Sequence, residues 1–131
     1  MINTGIYDYI DVLGSAANAS WKRNEVINNN LANVNTPGYK RKDVSFDDLL
    51  AVRLKRASTT NVDLDRRVAE VKNDKLEGKI YTDSTAYSYR IDGNNVDVDT
   101  ENVELASNEI KYNGLVASIN AEFARLKSVI K

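Results

Sequence analysis

Cysteine and histidine are both missing from this 131-residue chain. Their absence removes disulfides, thiol nucleophiles, zinc sites built on Cys or His, and imidazole acid–base chemistry. A carboxylate-only metal or hydrolase site is what stays open in principle. The missing thiol also suits a protein that works outside the cytoplasm, where a stray cysteine would oxidise. Proline occurs once, as Pro37. No apolar run approaches the roughly 20 residues of a membrane span. The N-terminus "MINTGIYDYI" has no basic n-region and no continuous apolar h-region, so a cleaved secretory signal is not expected.

A strong charge of either sign is also lacking. Lys plus Arg number 18 and Asp plus Glu 19, for a net charge of −1. That balance gives no reason to expect nucleic-acid binding or a polybasic membrane patch. The charge is unevenly placed, however. Residues 38–79 carry 11 basic and 8 acidic groups, residues 80–109 carry 1 and 7, and residues 110–131 carry 4 and 1. The acidic block precedes a helix and suits the positive end of its dipole.

What is present is helical periodicity at both ends. Ile6, Ile10, Leu13, Ala17, Ser20, Asn24, Ile27, Leu31 and Val34 recur at alternating steps of four and three. That is the 3.5-residue repeat of a coiled-coil seam, interrupted by Ser20 and Asn24, polar groups that can fix register. A second apolar line runs through Val12, Ala16, Ala19 and Val26. Near the C-terminus, Leu105, Glu109, Tyr112, Val116, Ile119, Phe123, Leu126 and Ile130 alternate in the same way. A second line there, Ala106, Ile110, Ala117, Ala121 and Ala124, is made mostly of small residues. Asn113-Gly114 falls inside this period and is expected to be helical despite its turn chemistry. Paired antiparallel, the two helices bury one seam, and the second lines are left for other copies.

The first helix is expected to end between Asn33 and Asn35, because asparagine tolerates the left-handed conformation that closes helices. Pro37 forces Thr36 out of the helical region, and Thr36-Pro37-Gly38-Tyr39 has the residue preferences of a type II turn. "KRKDV" then runs extended, and "SFDDLLAVRL" begins a short helix with Ser45 as N-cap and Asp48 as its capping-box partner. Phe46, Leu49, Leu50 and Leu54 form its apolar face. Residues 55–79 read either as a loop or as an amphipathic helix over 64–71. Tyr87, Tyr89 and Ile91 alternate with polar residues, which is strand periodicity, and residues 80–82 are candidates to pair with them. Either Asp97 or Asp99 caps the last helix; Asp99 is favoured, with Val98 and Val103 as a hydrophobic staple.

The expected fold is therefore mainly α. Long N- and C-terminal helices pair as a coiled-coil-like hairpin, with a short helix and a variable middle in which a β-hairpin is one option. The natural divisions are residues 1–36, 37–96 and 97–131. No catalytic constellation emerges. "DGNNVDVDTE" alternates acids as a calcium loop does, but counting from Asp92 the sixth position is Asp97 rather than Gly and the twelfth is Val103 rather than Glu. Helix capping explains these acids more simply. No cofactor and no metal site is expected.

Two blocks carry a resemblance. Asn29, Asn30, Ala32, Asn33, Asn35, Thr36, Pro37, Gly38 and Tyr39 stand in a motif N-N-x-A-N-x-x-T-x-G-[YF]. This resembles the N-terminal signature of the bacterial flagellar rod and hook axial proteins. Asp92, Gly93, Asn94, Asn95, Val96 and Asp97, followed by Glu104, Leu105, Asn108 and Tyr112, are similar to the C-terminal block of the family's short proximal-rod members.

The resemblance implies a structural subunit, not an enzyme. It would polymerise with its own copies and other rod proteins into the drive shaft of the flagellum, transmitting torque and extending the export channel. It implies secretion by the flagellar type III export apparatus without a cleaved signal peptide. The implied place is extracytoplasmic, at the base of the rod in the basal body near the adaptor FliE, without nucleic acid and without membrane insertion. Family members are often poorly ordered at both termini before assembly, and the amides of residues 28–30 would then bond neighbouring backbones in the lattice. The competing readings are a cytoplasmic helical adaptor or chaperone-like hairpin, and a small carboxylate-metal enzyme.

Overall fold

The computed structural model describes residues 5–56, 63–83 and 90–130, with the backbone alone for Ile6, Arg56 and Asn73. In chain order the elements are α1 (Gly5–Ala32), β1 (Lys42–Ser45), α2 (Asp47–Arg56), α3 (Leu64–Asn73), β2 (Lys79–Thr82) and α4 (Val98–Val129). None of the described helices is long and apolar enough to cross a membrane.

The two long helices pair antiparallel. Ser20 lies beside Asn108, Arg23 beside Glu104 and Asn30 beside Glu101, so one helix runs down as the other runs up. The shared seam is only partly apolar. Ile27 is buried, while Ile10, Leu13, Leu31, Leu105, Tyr112, Val116, Ile119 and Leu126 are half-buried. Ser20 and Asn24, the two polar interruptions, meet one partner. Asn108 donates to the Ser20 carbonyl at 2.8 Å and to Asn24 Oδ1 at 2.7 Å, and Ser20 Oγ donates back to Asn108 Oδ1 at 3.0 Å. A buried amide so fully matched permits one register, since a slip of a turn would strand it in an apolar seam. Towards the end of α4 the seam opens, and Phe123 and Ile130 are exposed rather than packed.

The second apolar line of α1 is mostly used within the chain, with Val12 alone left half-buried. Ala16 and Ala19 pack against Phe46, with Leu50, Leu76 and Leu115 around them, and Val26 is buried as well. Small side chains on α1 let the middle of the chain come close, and burying one Phe there contributes about 1.5–3 kcal/mol. The corresponding line of α4 is different: Ala106, Ile110, Ala117, Ala121 and Ala124 all stay exposed. α4 runs unbroken through Asn113-Gly114.

Several local expectations are corrected. Ser45 belongs to β1 and donates to the Lys79 carbonyl, so it does not cap α2; Leu50 N–H bonds instead to the Phe46 carbonyl at 2.8 Å. Asp97 rather than Asp99 caps α4, accepting from Asp99 N–H at 3.1 Å and from Thr100 Oγ1 at 2.8 Å. Val98 and Val103 are both exposed and form no buried staple. Within residues 55–79 the helical option holds: Asp63 caps α3, and Val68 and Val71 bury against α1. Tyr9 donates to Asp65, and Lys72 pairs with Asp8 and Asp11, fixing that contact.

β2 pairs antiparallel with β1, Lys42 opposite Thr82 and Ser45 opposite Lys79. Tyr87 and Tyr89 lie outside the described residues, and Ile91 sits in an exposed turn.

Gly78 marks where β2 enters against α1. A Cβ there would sit 2.8 Å from Val44 Cγ1 and 3.2 Å from Ala19 Cβ. Gly78→Ala is expected to cost about 1–3 kcal/mol through overpacking. Urea unfolding checks this, and an unchanged midpoint would mean the β1–α1 packing is looser than described.

Candidate functional site

The two motif blocks lie far apart in sequence and close on each other in space. Each contains a tight turn. Tyr39 N–H bonds to the Thr36 carbonyl at 3.2 Å with Gly38 at φ +71°, which is the type II turn expected from Pro37-Gly38. Gly93 has φ +77° and its N–H bonds to the Arg90 carbonyl at 3.1 Å. Side chains other than glycine are strained in that region of the backbone map. The turns dock: Gly38 N–H donates to the Asp92 carbonyl at 2.8 Å, and Lys40 Nζ donates to the Gly93 carbonyl at 2.6 Å.

Asn94 then reaches across to the open end of α1. A helix ends with several carbonyls lacking partners. Here the fully buried Asn94 amide donates to the carbonyls of Asn33 at 2.9 Å and of Val34 and Thr36 at 3.0 Å. Its own Oδ1 accepts from Val96 N–H at 2.8 Å, which orients the amide. Arg90 adds a bond to the Val34 carbonyl at 2.6 Å. The C-terminal block thus caps the N-terminal helix, one turn before α4 begins.

Asn30 makes the second link. Its amide bonds to the Lys42 backbone as a neighbouring strand would, accepting from the N–H at 3.0 Å and donating to the carbonyl at 2.7 Å. The same side chain donates to Glu101 Oε2 at 3.1 Å and accepts from Tyr39 OH at 3.1 Å. Asn30 therefore satisfies a backbone position of β1 within the chain, rather than reaching a neighbouring molecule.

A charged cluster completes the junction. Glu101, fully buried on α4, accepts from Arg41 Nε. Arg41 also reaches Asp43 at 3.2 Å and Asp83 at 3.7 Å, and its N–H donates to Asn95 Oδ1 at 2.6 Å. Arg23 on α1 grips Asp43 through two nitrogens at 2.8 and 3.2 Å and Glu104 at 2.9 Å. Burial alone would raise the Asp43 carboxyl. Hydrogen bonds from Arg23 and Val44 N–H, with the Arg23 and Arg41 charges, instead hold it below the usual carboxylate range. Burial pushes the Tyr39 phenol up, helped by the Glu101 charge. Every buried side-chain polar atom among the described residues has a partner. The bonding capacity of this cluster is used in holding four segments of one chain together.

The motif divides into two faces. Asn30, Asn94 and Val96 are buried, and Asn33, Tyr39, Asp92, Gly93, Asn95 and Asp97 half-buried. Asn29, Ala32, Asn35, Thr36, Pro37 and Gly38 are exposed, as is Asn28 beside them. Reading the sequence alone missed Arg23, Arg41, Asp43 and Glu101. Glu101 is indistinguishable in sequence from its neighbours in an acidic block, and "KRKDV" looks like a solvated run. The alternation of β1, which turns Asp43 inward between exposed Lys42 and half-buried Val44, was the one signal available.

The family model "Flagella basal body rod protein" matches residues 10–40, which span α1 from Ile10 to its end and the turn at Pro37-Gly38. The flagellar basal body rod protein FlgB of Bacillus subtilis strain 168 is 42% identical over 108 residues, covering 82% of this chain and 81% of that protein. FlgB of Cereibacter sphaeroides ATCC 17029 is 30% identical over 98% of each chain. FlgB of Escherichia coli K12 is 30% identical over 88% of each. The chain belongs to the FlgB family of flagellar basal body rod proteins.

Proposed function

We propose that the chain is a structural subunit of the proximal rod of the flagellar basal body. It polymerises with its own copies and with other rod proteins, transmits torque and extends the export channel. It is not an enzyme. Its further partners are the adaptor FliE and the flagellar type III export apparatus, which carries it out of the cytoplasm without a cleaved signal peptide to the periplasmic rod. Ordering of the outer parts of α1 and α4 accompanies assembly and restrains polymerisation before export.

The observation that supports this most is the two-faced motif. Its inner half ties the chain ends together, while Asn29, Asn35 and their neighbours are exposed, as is the second apolar line of α4. Exposed polar amides on the motif and an unused apolar stripe on α4 suit repeated lateral contact between copies. Such contacts, if they do not close on themselves, give an open helical filament.

The test separates the two halves. Asn29→Ala combined with Asn35→Ala is expected to leave monomer stability within about 0.5 kcal/mol, as for other exposed positions. The same variant is expected to lower the amount of the chain recovered in purified basal bodies and the swimming rate. Normal assembly with this variant would reduce those asparagines to ordinary turn residues. Recovery of the unaltered chain only from cytosol would overturn the rod reading itself.

A further inference from the structure

Two surfaces on opposite parts of the molecule match each other. The first is a cleft of about 300 Å³ between α1 and the end of α3, floored by Phe46, Val71, Val12 and Leu76. Lys75 and Glu77 stand on its rim. The second is the end of α4. Phe123, Leu126 and Ile130 lie on one helical face, where Phe123 is 51% and Ile130 75% exposed. Lys127 lies on the same face, one turn after Phe123.

These surfaces cannot meet within one chain. The antiparallel pairing of Ser20 with Asn108 and of Arg23 with Glu104 carries the end of α4 alongside the start of α1. The cleft sits further along α1, against Asp11, Val12 and Ser15. We propose that the end of α4 from one copy seats in the α1–α3 cleft of a second copy of this chain. This deepens the rod-subunit reading and rests on it.

Three features favour a copy as the occupant. The cleft floor is apolar, and the α4 end carries three apolar side chains at i, i+3 and i+7, the spacing of a helix laid in a groove. The charges match: Lys127 faces Glu77, and the carbonyl end of the α4 dipole faces Lys75. The contact is also heterologous, joining two different surfaces, so each copy that binds one neighbour leaves a cleft open for the next.

The missing cysteines make the test clean. Glu77→Cys and Lys127→Cys place one thiol on each surface. Within a single chain the two lie about ten residues apart along the helix pair, roughly 15 Å, beyond the reach of a disulfide. Basal bodies isolated from cells carrying the double variant are expected, after mild oxidation, to give a ladder of covalent oligomers of this chain that collapses on reduction. Co-expressed single variants are expected to give a dimer and nothing larger, which marks a heterologous contact. Adding Phe123→Ser and Ile130→Ser should abolish every species above monomer, with an unchanged melting curve because both side chains are exposed. Monomer alone, or adducts only with other proteins, from basal bodies that contain the chain would overturn this contact and leave the rod reading standing. Basal bodies lacking the chain would overturn both.

Discussion

Replacing Asn94 by alanine is expected to lower the stability of the monomer by roughly 2–4 kcal/mol. The reason is the number of groups one amide satisfies. Asn94 is fully buried and donates to three carbonyls at the end of α1, while its oxygen holds Val96 N–H. Alanine removes both donors, leaving each carbonyl with one other partner (Thr36 N–H, Arg90 or Tyr39 N–H), and strands the buried Val96 N–H. Each buried polar group left without a partner costs about 1–3 kcal/mol. The losses are not additive, because Arg90 still holds the Val34 carbonyl. Asn94→Asp sharpens the test. It keeps an acceptor for Val96 N–H but turns a carboxylate towards carbonyl oxygens, so it should be at least as damaging as alanine. Urea unfolding followed by far-UV circular dichroism measures both. A loss below about 0.5 kcal/mol would mean the α1 end is held by its own turn and not by the C-terminal block.

Glu101→Ala is expected to cost a similar amount, about 2–4 kcal/mol. Glu101 is fully buried and supports both Arg41 and Asn30. Removing one partner of a buried pair leaves the other charge poorly compensated. Arg41 keeps Asp43 and Asp83, which places the loss somewhat below that of an isolated buried pair. Glu101→Gln preserves the shape and one of the two acceptors, while removing the charge and turning an amide N–H towards the donor of Arg41 or Asn30. It should lose about 1–2 kcal/mol, since charge-assisted hydrogen bonds are roughly twice as strong as neutral ones. The order wild type, Gln, Ala is the informative result. Equal losses for Gln and Ala would show that the charge and paired acceptors of Glu101, not its shape, set the stability. No loss in either would show that α4 is held by its apolar seam alone.

The long helices were legible because their signal is repeated many times. Nine positions from Ile6 to Val34 and eight from Leu105 to Ile130 keep one period, and single exceptions do not erase it. The turn at Pro37-Gly38 was legible because proline and glycine each constrain one backbone angle. Local capping was less legible. Ser45 has the right chemistry for an N-cap, but pairing with β2 places it in a strand. Asp97 and Asp99 are chemically equal, and only the position of the preceding turn decides between them. The pairing of β1 with β2 could not be read, since it joins two four-residue strands separated by two helices. The site was half legible. The motif asparagines stood out, but which of them turn inward depends on contacts between sequence positions about 60 to 70 residues apart.

The second apolar lines show the same division. They look alike in sequence, yet that of α1 is covered by Phe46 and its neighbours while that of α4 is not. Sequence periodicity identifies an apolar face; the path of the rest of the chain decides whether that face is already covered. This difference is what leaves α4 as the helix available to other subunits.

The most direct measurement is a cryo-EM map of the intact basal body at side-chain resolution. The expected result is this chain in the proximal rod, its α1–α4 hairpin packed against copies and other rod proteins, with the Asn94 amide seated on the end of α1 and the α4 outer line buried between subunits. A rod without this chain, or one in which Asn94 is drawn away from α1 and the α4 line still faces solvent, would contradict it.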